Sequence, residues 1–309
     1  MTDDTRHETA PIDTACGFVA LIGAPNVGKS TLVNALVGSK VTIVSRKVQT
    51  TRALIRGIVI ENRAQIILVD TPGIFLPKRR LDRAMVSTAW SGAHDADLVC
   101  VLIDAREGID EEADSILTRL STVQHEKILV LNKIDLVPRE KLLALAKAAN
   151  DRLPFARTFM VSALSGDGVD DLRRTLAAMV PPGPFHYPED QMSDAPMRHL
   201  AAEITREKIF RQLHQELPYQ STVETDSWTE RKDKSIRIEQ TIFVERESQR
   251  KIVLGKGGAT IKSIGAESRK DIAEIVGQPV HLFLFVKVRE DWGDDPDRYR
   301  EMGLEFPRE

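Results

Sequence analysis

The sequence has few of the cysteine and histidine residues that stabilise small or secreted folds through disulfides or bound metals. Among 309 residues there are two cysteines, Cys16 and Cys100, which are too few for a disulfide framework. Both lie in apolar, strand-like stretches, where a small buried side chain is expected. The seven histidines never pair at the spacing of metal ligands, so no zinc site is expected. The composition, 42% hydrophobic and 29% charged, is that of a globular protein long enough for two domains.

Long apolar runs and a strong charge of one sign are also missing. No segment approaches the roughly 18 apolar residues of a membrane-spanning helix, and the start, MTDDTRHETAPIDTA, has no hydrophobic signal core. We therefore expect a cytoplasmic protein whose residues 1–16 form a polar, disordered tail. The net charge of −3 does not by itself indicate a nucleic-acid partner, so such a function must be argued from local clusters of basic residues.

Residues 17–180 alternate between apolar strand-like runs and helical patterns, which predicts an α/β domain with a mostly parallel sheet covered on both faces. The strand-like runs are GFVALIG, ALIRGIVI, AQIILVD, ADLVCVLID, KILVLN and RTFMVSA, and helices are expected near 29–37, 82–93, 109–120, 138–150 and 168–179. Only ENR separates the second run from the third. That spacing predicts a hairpin with one antiparallel strand at an edge of the sheet.

A second domain is expected after the linker at residues 181–196, where VPPGPFHYPEDQMSDAP contains five prolines. Residues 197–290 follow the order αββααβ, which predicts a small α+β domain. Its helices are expected over about 196–217, over a short stretch before a glycine turn, and over 259–276, with strands near 220–230 and 235–246 and in QPVHLFLFVKV. The acidic residues 291–309 are expected to form a loosely ordered tail.

The segment GAPNVGKS follows the first strand and opens the first helix, which is the setting of a P-loop. Its glycines allow backbone N–H groups to point at phosphates, Lys29 adds positive charge at the β- and γ-phosphates, and the Ser30 hydroxyl is expected to ligate Mg²⁺. The predicted nucleotide-binding residues of this loop are Gly23, Ala24, Pro25, Asn26, Val27, Gly28, Lys29, Ser30 and Thr31.

A second motif, DTPG, ends the third strand about forty residues later. Asp70 is expected to hold Mg²⁺ through a water molecule, and the Gly73 N–H to face the γ-phosphate. An isolated DTPG is often an ordinary turn, but this interpretation is disfavoured behind a P-loop. The predicted nucleotide-binding residues here are Asp70, Thr71, Pro72, Gly73 and Ile74.

The motif NKID closes the fifth strand and indicates the base. Guanine presents N1–H and N2–H₂ side by side, and the Asp135 carboxylate accepts hydrogen bonds from both. Adenine would leave this carboxylate unpaired, and such a requirement favours the correct ligand by a factor of roughly 10⁴–10⁵. The predicted base-binding residues are Asn132, Lys133, Ile134 and Asp135, with Ser162, Ala163 and Leu164 after the sixth strand. Four motifs at the carboxyl ends of strands predict a Ras-like P-loop GTPase that binds GTP and GDP.

The segment between the first helix and the second strand, GSKVTIVSRKVQTTRALIRG, is interpreted as the first switch, in which Thr51 rather than Thr50 completes the Mg²⁺ shell. The alternative is that its polar run, residues 45–51, is an inert loop. The predicted metal ligands are therefore Ser30, Thr51 and Asp70. Where Ras-like enzymes carry a catalytic glutamine, this chain has Ile74, so hydrolysis is expected to be slow, at or below roughly 10⁻⁴ s⁻¹. Asn26 either helps to hold a potassium ion or only stabilises the turn. The catalytic candidates are Lys29, Asn26, Thr51 and Gly73.

The sequence GKGG at residues 255–258, here called the GXXG loop, lies between two helices and indicates a type II KH domain that clamps single-stranded RNA. Residues 246–270 contain seven Lys/Arg against two Glu, a local net charge of +5. A plain helix-turn-helix is the alternative. Ile252, Val253, Leu254, Ile261 and Ile264 are expected to line the groove for bases. The predicted RNA-binding residues are Arg250, Lys251, Ile252, Gly255, Lys256, Gly257, Gly258 and Lys262.

Together these features resemble the Era family of bacterial GTPases. The resemblance rests on GAPNVGKSTLVNAL, SRKVQTTR, VDTPGI, NKID, ITREKIFRQLHQELPY and QPVHLFLFVKV, and it covers nearly the whole chain. It implies binding near the 3′ end of 16S ribosomal RNA during processing and assembly of the 30S subunit, and peripheral association with the inner membrane. No DNA partner is expected. Family members carry lysine at the second variable position of the GXXG loop, whereas here Lys256 stands at the first and Gly257 follows.

Three functions stay open at this point. In the first, GTP controls the arrangement of the two domains and therefore the affinity for RNA. In the second, the chain is a passive RNA-binding assembly factor whose GTPase domain only reports the guanine-nucleotide level. In the third, a signalling GTPase uses its KH-like domain to bind protein or membrane. The basic GXXG loop favours the first two over the third.

Overall fold

The structure is a computed structural model that describes residues 13–45, 47, 50–52, 54–214, 217–290 and 296–307. Most of the predicted N-terminal tail, positions 46, 48, 49 and 53 of the predicted switch, and positions 291–295, 308 and 309 of the predicted C-terminal tail lie outside these residues. The described chain forms a six-stranded sheet and a three-stranded sheet, each with its own helices.

The first domain is the predicted α/β sandwich. Its strands are β1 (Ala15–Ile22), β2 (Ile55–Glu61), β3 (Ala64–Asp70), β4 (Leu98–Asp104), β5 (Glu126–Asn132) and β6 (Arg157–Val161). Its helices are α1 (Lys29–Val37), α2 (Arg80–Asp95), α3 (Glu111–Leu120), α4 (Arg139–Arg152) and α5 (Val169–Met179). The order β2-β3-β1-β4-β5-β6 is parallel except for the β2–β3 hairpin, so the predicted antiparallel edge strand is confirmed.

Burial explains why the strands of this sheet read as continuous apolar runs. Every residue of β3 and β4 is buried, because helices cover both faces of a parallel sheet. Cys16 and Cys100 are both buried and free, as predicted. Since β1 begins at Ala15, the tail predicted over residues 1–16 is two residues too long.

The second domain has the predicted order αββααβ. Its elements are α6 (Met197–Gln212), β7 (Ser221–Glu230), β8 (Ile236–Val244), α7 (Glu247–Leu254), α8 (Ala259–Val276) and β9 (Val280–Val288). Strand β8 pairs antiparallel with β7 and parallel with β9, which leaves β9 at an edge. Helices α6 and α8 contact this sheet and share its apolar core. Helix α6 ends five residues earlier than predicted.

The proline-rich linker is not a free spacer. It forms isolated bridges to β1 and β2, where Ala15 pairs with Pro182 and Gly57 pairs with Ser193. The Ile58 N–H donates to the Met192 carbonyl at 2.9 Å. These bonds place linker backbone along β2, the edge strand of the large sheet, and so cover an edge that would otherwise be open to pairing.

The acidic C-terminal segment is more ordered than its composition predicted. Residues Pro296–Glu301 form helix α9. Tyr299 is fully buried and Leu304 is 3% exposed, and both belong to an apolar cluster with Leu81 and Met85 of α2. The prediction of a loose tail is therefore wrong for residues 296–307, because a few large apolar side chains among the charges are enough to dock the segment.

Candidate functional site

The P-loop encloses the amino group of Lys29. Its Nζ donates to the carbonyls of Gly23 and Ala24, both at 2.9 Å, and the side chain is buried. Burial lowers the pKa of Lys29 to about 8, so the charged form is still favoured at neutral pH. An anion bound in the loop would favour the charged form further. This is the electrostatic setting expected for phosphate binding.

Three side chains predicted to serve one metal ion converge beneath the P-loop. The Ser30 hydroxyl donates to Oδ2 of Asp70 at 2.7 Å and lies 3.0 Å from Oγ1 of Thr51. The Thr51 hydroxyl donates to the same carboxylate oxygen at 3.3 Å. The Thr50 hydroxyl instead lies 2.6 Å from Oγ of Ser45. The geometry therefore brings Thr51, and not Thr50, to the predicted metal site.

The Asp70 carboxylate fits a role beside Mg²⁺. It is fully buried, burial raises its pKa, and its other oxygen, Oδ1, accepts no hydrogen bond from the residues that the structure describes. A buried carboxylate oxygen without a partner is costly unless a cation or bound water completes it. Thr42 was missed by sequence reasoning, although its hydroxyl also donates to Asp70 at 2.9 Å. No motif marks that threonine.

The base end of the site is built around the buried amide of Asn132. Its Nδ2 donates to the Val27 carbonyl at 2.8 Å, and its Oδ1 accepts from the N–H of Ala163 at 3.0 Å. Asn132 thus ties the P-loop to the segment after β6. Lys133 has a left-handed φ of 65° and donates from Nζ to the Asn26 carbonyl at 2.6 Å. Asp135 is exposed, with its carboxylate open to a ligand.

Lys133 is held by Asp104, a residue outside every predicted motif. The Lys133 Nζ donates to Oδ2 of Asp104 at 2.6 Å, and Arg106 pairs with the same oxygen at 2.6 Å. Burial of Asp104 would raise its pKa, but the hydrogen bonds from Arg106 and Lys133 hold the pKa below its usual value. Asp104 is the last residue of β4, so position at a strand's carboxyl end was the available signal.

A cavity of about 950 Å³ connects these parts. The predicted residues that line it are Pro25, Asn26, Gly28, Lys29, Ser30, Thr31, Thr51, Thr71, Gly73, Asn132, Lys133, Asp135, Ser162, Ala163 and Leu164. Gly23, Ala24, Val27 and Asp70 support the walls through the hydrogen bonds given above. Ile74 packs into the apolar core at 8% exposure, and its N–H donates to the Gly23 carbonyl at 3.1 Å. Its side chain therefore takes no direct part in the cavity.

The second domain reaches the predicted switch through Arg52, a residue that sequence reasoning did not select. Its buried guanidinium donates to the carbonyls of Ser221 at 3.0 Å, Tyr219 at 3.1 Å and Pro218 at 3.3 Å, at the start of β7. Arg52 directly follows Thr51. One short segment is therefore bonded to the metal site on one side and to the second domain on the other.

Glu207 of α6 forms a second, ionic connection between the domains. Its fully buried carboxylate accepts from Lys40 at 2.7 Å, from the Val44 N–H at 3.0 Å and from Lys208 at 3.1 Å. Burial would raise the pKa of Glu207, but the hydrogen bond and charge of Lys40 hold it below the usual value. Arg206 of the same helix donates to the Thr50 carbonyl. Helix α6 thus lies against the switch segment.

The GXXG loop joins α7 to α8 in the second domain. Gly255, Gly257 and Gly258 have φ values of 73°, 61° and 79°, in the left-handed region. A Cβ at Gly255 would lie 2.2 Å from Oγ1 of Thr260, whereas one at Gly257 or Gly258 would meet no atom of the described residues within 4 Å. The last two glycines therefore present open backbone. Exposed Lys256 and Lys262 flank it.

Part of the predicted groove is core. Val253 and Ile264 are fully buried in the second domain's apolar cluster, so they cannot contact a base. Ile252 is 55% exposed beside the loop. Arg250 pairs with Glu247 at 2.9 Å and donates from Nε to the Val286 carbonyl of β9 at 3.2 Å. These contacts place α7 against the edge strand.

We predict that Gly28→Ala weakens guanine-nucleotide binding by about a hundredfold or more, equivalent to about 3 kcal/mol. Gly28 has a φ of 100°, and a Cβ there would lie 2.2 Å from Nδ2 of Asn132. Relief of that clash moves the amide that joins the P-loop to the base site. The measurement is titration with a fluorescent GDP analogue.

The matched control is Gly38→Ala, where φ is 76° but no atom in the described part of the chain lies within 4 Å of the added Cβ. It carries similar backbone strain without the clash. We expect a lower unfolding temperature and unchanged nucleotide affinity. Equal affinity losses in the two variants would show that strain, and not the Asn132 clash, is the cause.

Comparison with known proteins agrees with both domains. Residues 18–133 match the family described as 50S ribosome-binding GTPase, and residues 216–293 match the KH domain family. The chain is 86% identical to GTPase Era of Bradyrhizobium diazoefficiens over 309 residues, which is the full length of both. It is 66% identical to GTPase Era of Brucella suis over 306 residues, 99% of this chain and 98% of the relative.

Two solved structures are similar over most of the chain. Era in complex with MgGDPNP and nucleotides 1506–1542 of 16S ribosomal RNA has 37% sequence identity and a TM-score of 0.87, covering 94% of this chain and 99% of that one. A variant of Aquifex aeolicus Era bound to GDP and AlF₄⁻ also has 37% identity, with a TM-score of 0.88 and the same coverage. The P-loop site, the KH domain and full-length identity lead to one conclusion: this chain belongs to the Era family of GTPases.

Proposed function

We propose that this GTPase binds GTP with Mg²⁺ in the cavity and uses its KH domain to bind 16S ribosomal RNA near the 3′ end, in processing of that RNA and assembly of the 30S subunit. The observation that carries the proposal is the switch segment, which is hydrogen-bonded both to the metal-site residues and to the KH domain. A similar Era has been solved with MgGDPNP and nucleotides 1506–1542 of 16S ribosomal RNA.

Each residue at the phosphate end has a role that follows from its contacts. When bound, Mg²⁺ would neutralise phosphate charge, held by the hydroxyls of Ser30 and Thr51 and, through water, by Asp70. Lys29 would exchange its carbonyl partners for phosphate oxygens. The backbone of Gly73, half-buried beside the P-loop, would donate to the γ-phosphate. A Cβ there would lie 2.8 Å from Cα of Pro25, so glycine is required for this approach.

Hydrolysis must proceed without a glutamine after Gly73, because Ile74 is in the core. Asn26 is the candidate substitute, acting through a bound potassium ion. Its φ of 62° already accounts for an asparagine in this turn, since asparagine tolerates the left-handed region. Its exposed side chain nevertheless lines the cavity, where an amide oxygen can reach a monovalent cation.

The potassium role predicts GTP turnover about tenfold or more faster in potassium than in sodium buffer of equal ionic strength. Asn26→Gly keeps the left-handed backbone and removes the amide, so it should abolish the difference while GTP affinity is retained. Equal turnover of the wild type in the two buffers would eliminate potassium and leave Asn26 as a turn residue.

The RNA proposal rests on the GXXG loop. Open glycine backbone admits a polynucleotide chain, and exposed lysines on both sides supply charge for phosphates. Lys262 lies in the first turn of α8, where the helix N-terminus adds to the attraction. Gly257, which stands where the family carries lysine, has a φ of 61° that favours glycine. We therefore assign the phosphate contacts to Lys256 and Lys262.

Lys256→Ala/Lys262→Ala should weaken binding to nucleotides 1506–1542 of 16S ribosomal RNA and flatten its salt dependence. The slope of log affinity against log salt should become less steep by about 0.7 for each phosphate that the variant no longer neutralises. Lys141→Ala/Lys147→Ala removes the same charge from exposed positions on α4 and should leave the slope unchanged. An unchanged slope in the first variant would contradict the assigned surface.

We also propose that the bound nucleotide sets RNA affinity, with Arg52 as the positioning residue. GTP and Mg²⁺ would fix Thr51, and Arg52 would transmit that position to the three carbonyls at the start of β7. Burial lowers the pKa of Arg52 to about 9, so its guanidinium stays charged at neutral pH. A passive RNA-binding factor would need no such connection.

Arg52→Gln should remove the difference in RNA affinity between the GTP-analogue and GDP states while both ligands still bind. The control is Arg198→Ala, because Arg198 donates to the carbonyls of Thr225 and Asp226 within the KH domain. It should retain the difference. Equal wild-type affinities with GTP analogue, with GDP and without nucleotide would rule out the switch itself, and a difference that persists in Arg52→Gln would exclude this route.

The cellular location implied by the family resemblance stays a prediction. In the described part of the chain, no helix is long and apolar enough to cross a membrane. Cytoplasmic location with peripheral association at the inner membrane is therefore proposed on the resemblance alone. The alternative, a signalling GTPase whose KH-like domain binds protein or membrane, has no observation that favours it over RNA.

A further inference from the structure

The three-stranded sheet of the KH domain has two different faces. One face packs on α6 and α8 and contributes Ile238 and Ile242, which are fully buried. The opposite face carries two exposed aromatic rings on β9, Phe283 at 42% and Phe285 at 49% exposure. Their neighbours Leu282, Leu284 and Val286 point into the core. The strand thus alternates between core residues and an aromatic outer row.

The rings have charged neighbours of both signs: Arg237 and Lys287 are cations, and Glu239 is an anion paired with Arg237. In the register of β8 and β9, Glu239 pairs with Phe283, Thr241 with Phe285 and Phe243 with Lys287. The guanidinium of Arg237 lies 4.8 Å from the centroid of the Phe283 ring, and its Nε donates to Glu239 at 3.1 Å. Lys287 is exposed at the end of the row. Two exposed rings with cations beside them match the chemistry of a base-stacking platform.

The spacing of the rings suits consecutive bases. Residues two apart on a strand project from the same face about 6.6 Å apart. This distance is within reach of neighbouring bases in a single strand, which is flexible enough to splay its bases onto a protein surface. Exposed aromatics on a sheet bind RNA in this way in other folds. A patch of plain aliphatic residues would have lacked both the π-faces and the cations.

The platform is continuous with the GXXG loop. Helix α7, which ends at this loop, contacts β9, and Arg250 donates to the Val286 carbonyl on that strand. Strand β9 is the edge of the sheet, so the outer face begins directly beyond this contact. A single-stranded RNA that leaves the GXXG loop along α7 therefore has only the edge of β9 to cross. Arg250 and Lys251 supply positive charge on that path.

We propose that the outer face of β8 and β9 is a second RNA subsite, in which Phe283 and Phe285 stack bases of the single strand that leaves the GXXG loop. This inference rests on the proposed function, because it extends the same RNA ligand. It assigns RNA binding to the exposed face of the sheet opposite the helices, a surface separate from the GXXG loop. The ligand is single-stranded RNA read by stacking, with little preference for base identity.

The test is RNA binding by Phe283→Ala/Phe285→Ala in the full-length protein. Probes are nucleotides 1506–1542 of 16S ribosomal RNA and successive truncations down to the shortest fragment that the wild type still binds. The variant should bind the longest probe about tenfold or more weakly and the shortest probe normally, because only the longer chain reaches β9. Phe283→Tyr/Phe285→Tyr should restore affinity, and the leucine pair, which lacks π-faces, should not.

Controls separate this inference from the proposed function. Leu143→Ala removes a side chain that is 70% exposed on α4 and should leave every affinity unchanged. If the wild type binds no probe, the proposed RNA function fails. If the wild type binds and Phe283→Ala/Phe285→Ala binds the longest probe equally well, the second subsite is overturned. Loss of a wild-type dimer in the variant, with RNA affinity intact, would assign the face to a second copy and also overturn it.

Discussion

The structure depends on one junction in the backbone, where Thr51 and Arg52 face opposite ways. The threonine hydroxyl meets Ser30 and the buried carboxylate of Asp70, and the next side chain enters the KH domain and donates to three carbonyls. Two adjacent residues cannot move independently. A displacement of Thr51 would therefore displace Arg52 as well, without a long chain of intermediates.

The charged groups around this junction are costly to bury, so each of them needs partners that compensate the loss of water. Glu207 has no exposed surface and is satisfied by Lys40, Lys208 and a backbone N–H. Apolar side chains of the same size would give comparable or greater stability. They would not distinguish one arrangement of the domains from another, whereas ionic and hydrogen-bonded partners lose their energy when the geometry changes.

Much of the fold was predictable because nearby residues in the sequence mark where many helices begin and end. Helices α1 and α8 match the predicted ranges, since each lies between two left-handed glycines, Gly28 and Gly38 or Gly258 and Gly277. Helix α6 ends without such a signal, and its end was misplaced. The GTP motifs were readable for the same reason. Arg52 and Thr42 were missed because their partners are distant in sequence, and Val253 was misread because periodicity does not reveal which apolar residue faces the core.

The docked C-terminal segment has a practical consequence. Tyr299 and Leu304 rest on α2, the helix that follows the DTPG motif, so the chain's last described residues belong spatially to the GTPase domain. An affinity tag or degradation signal fused after these residues would lie near α2 of the GTPase domain, although in sequence it follows the KH domain. Expression vectors that extend the chain after these residues therefore place the added segment beside the GTPase domain.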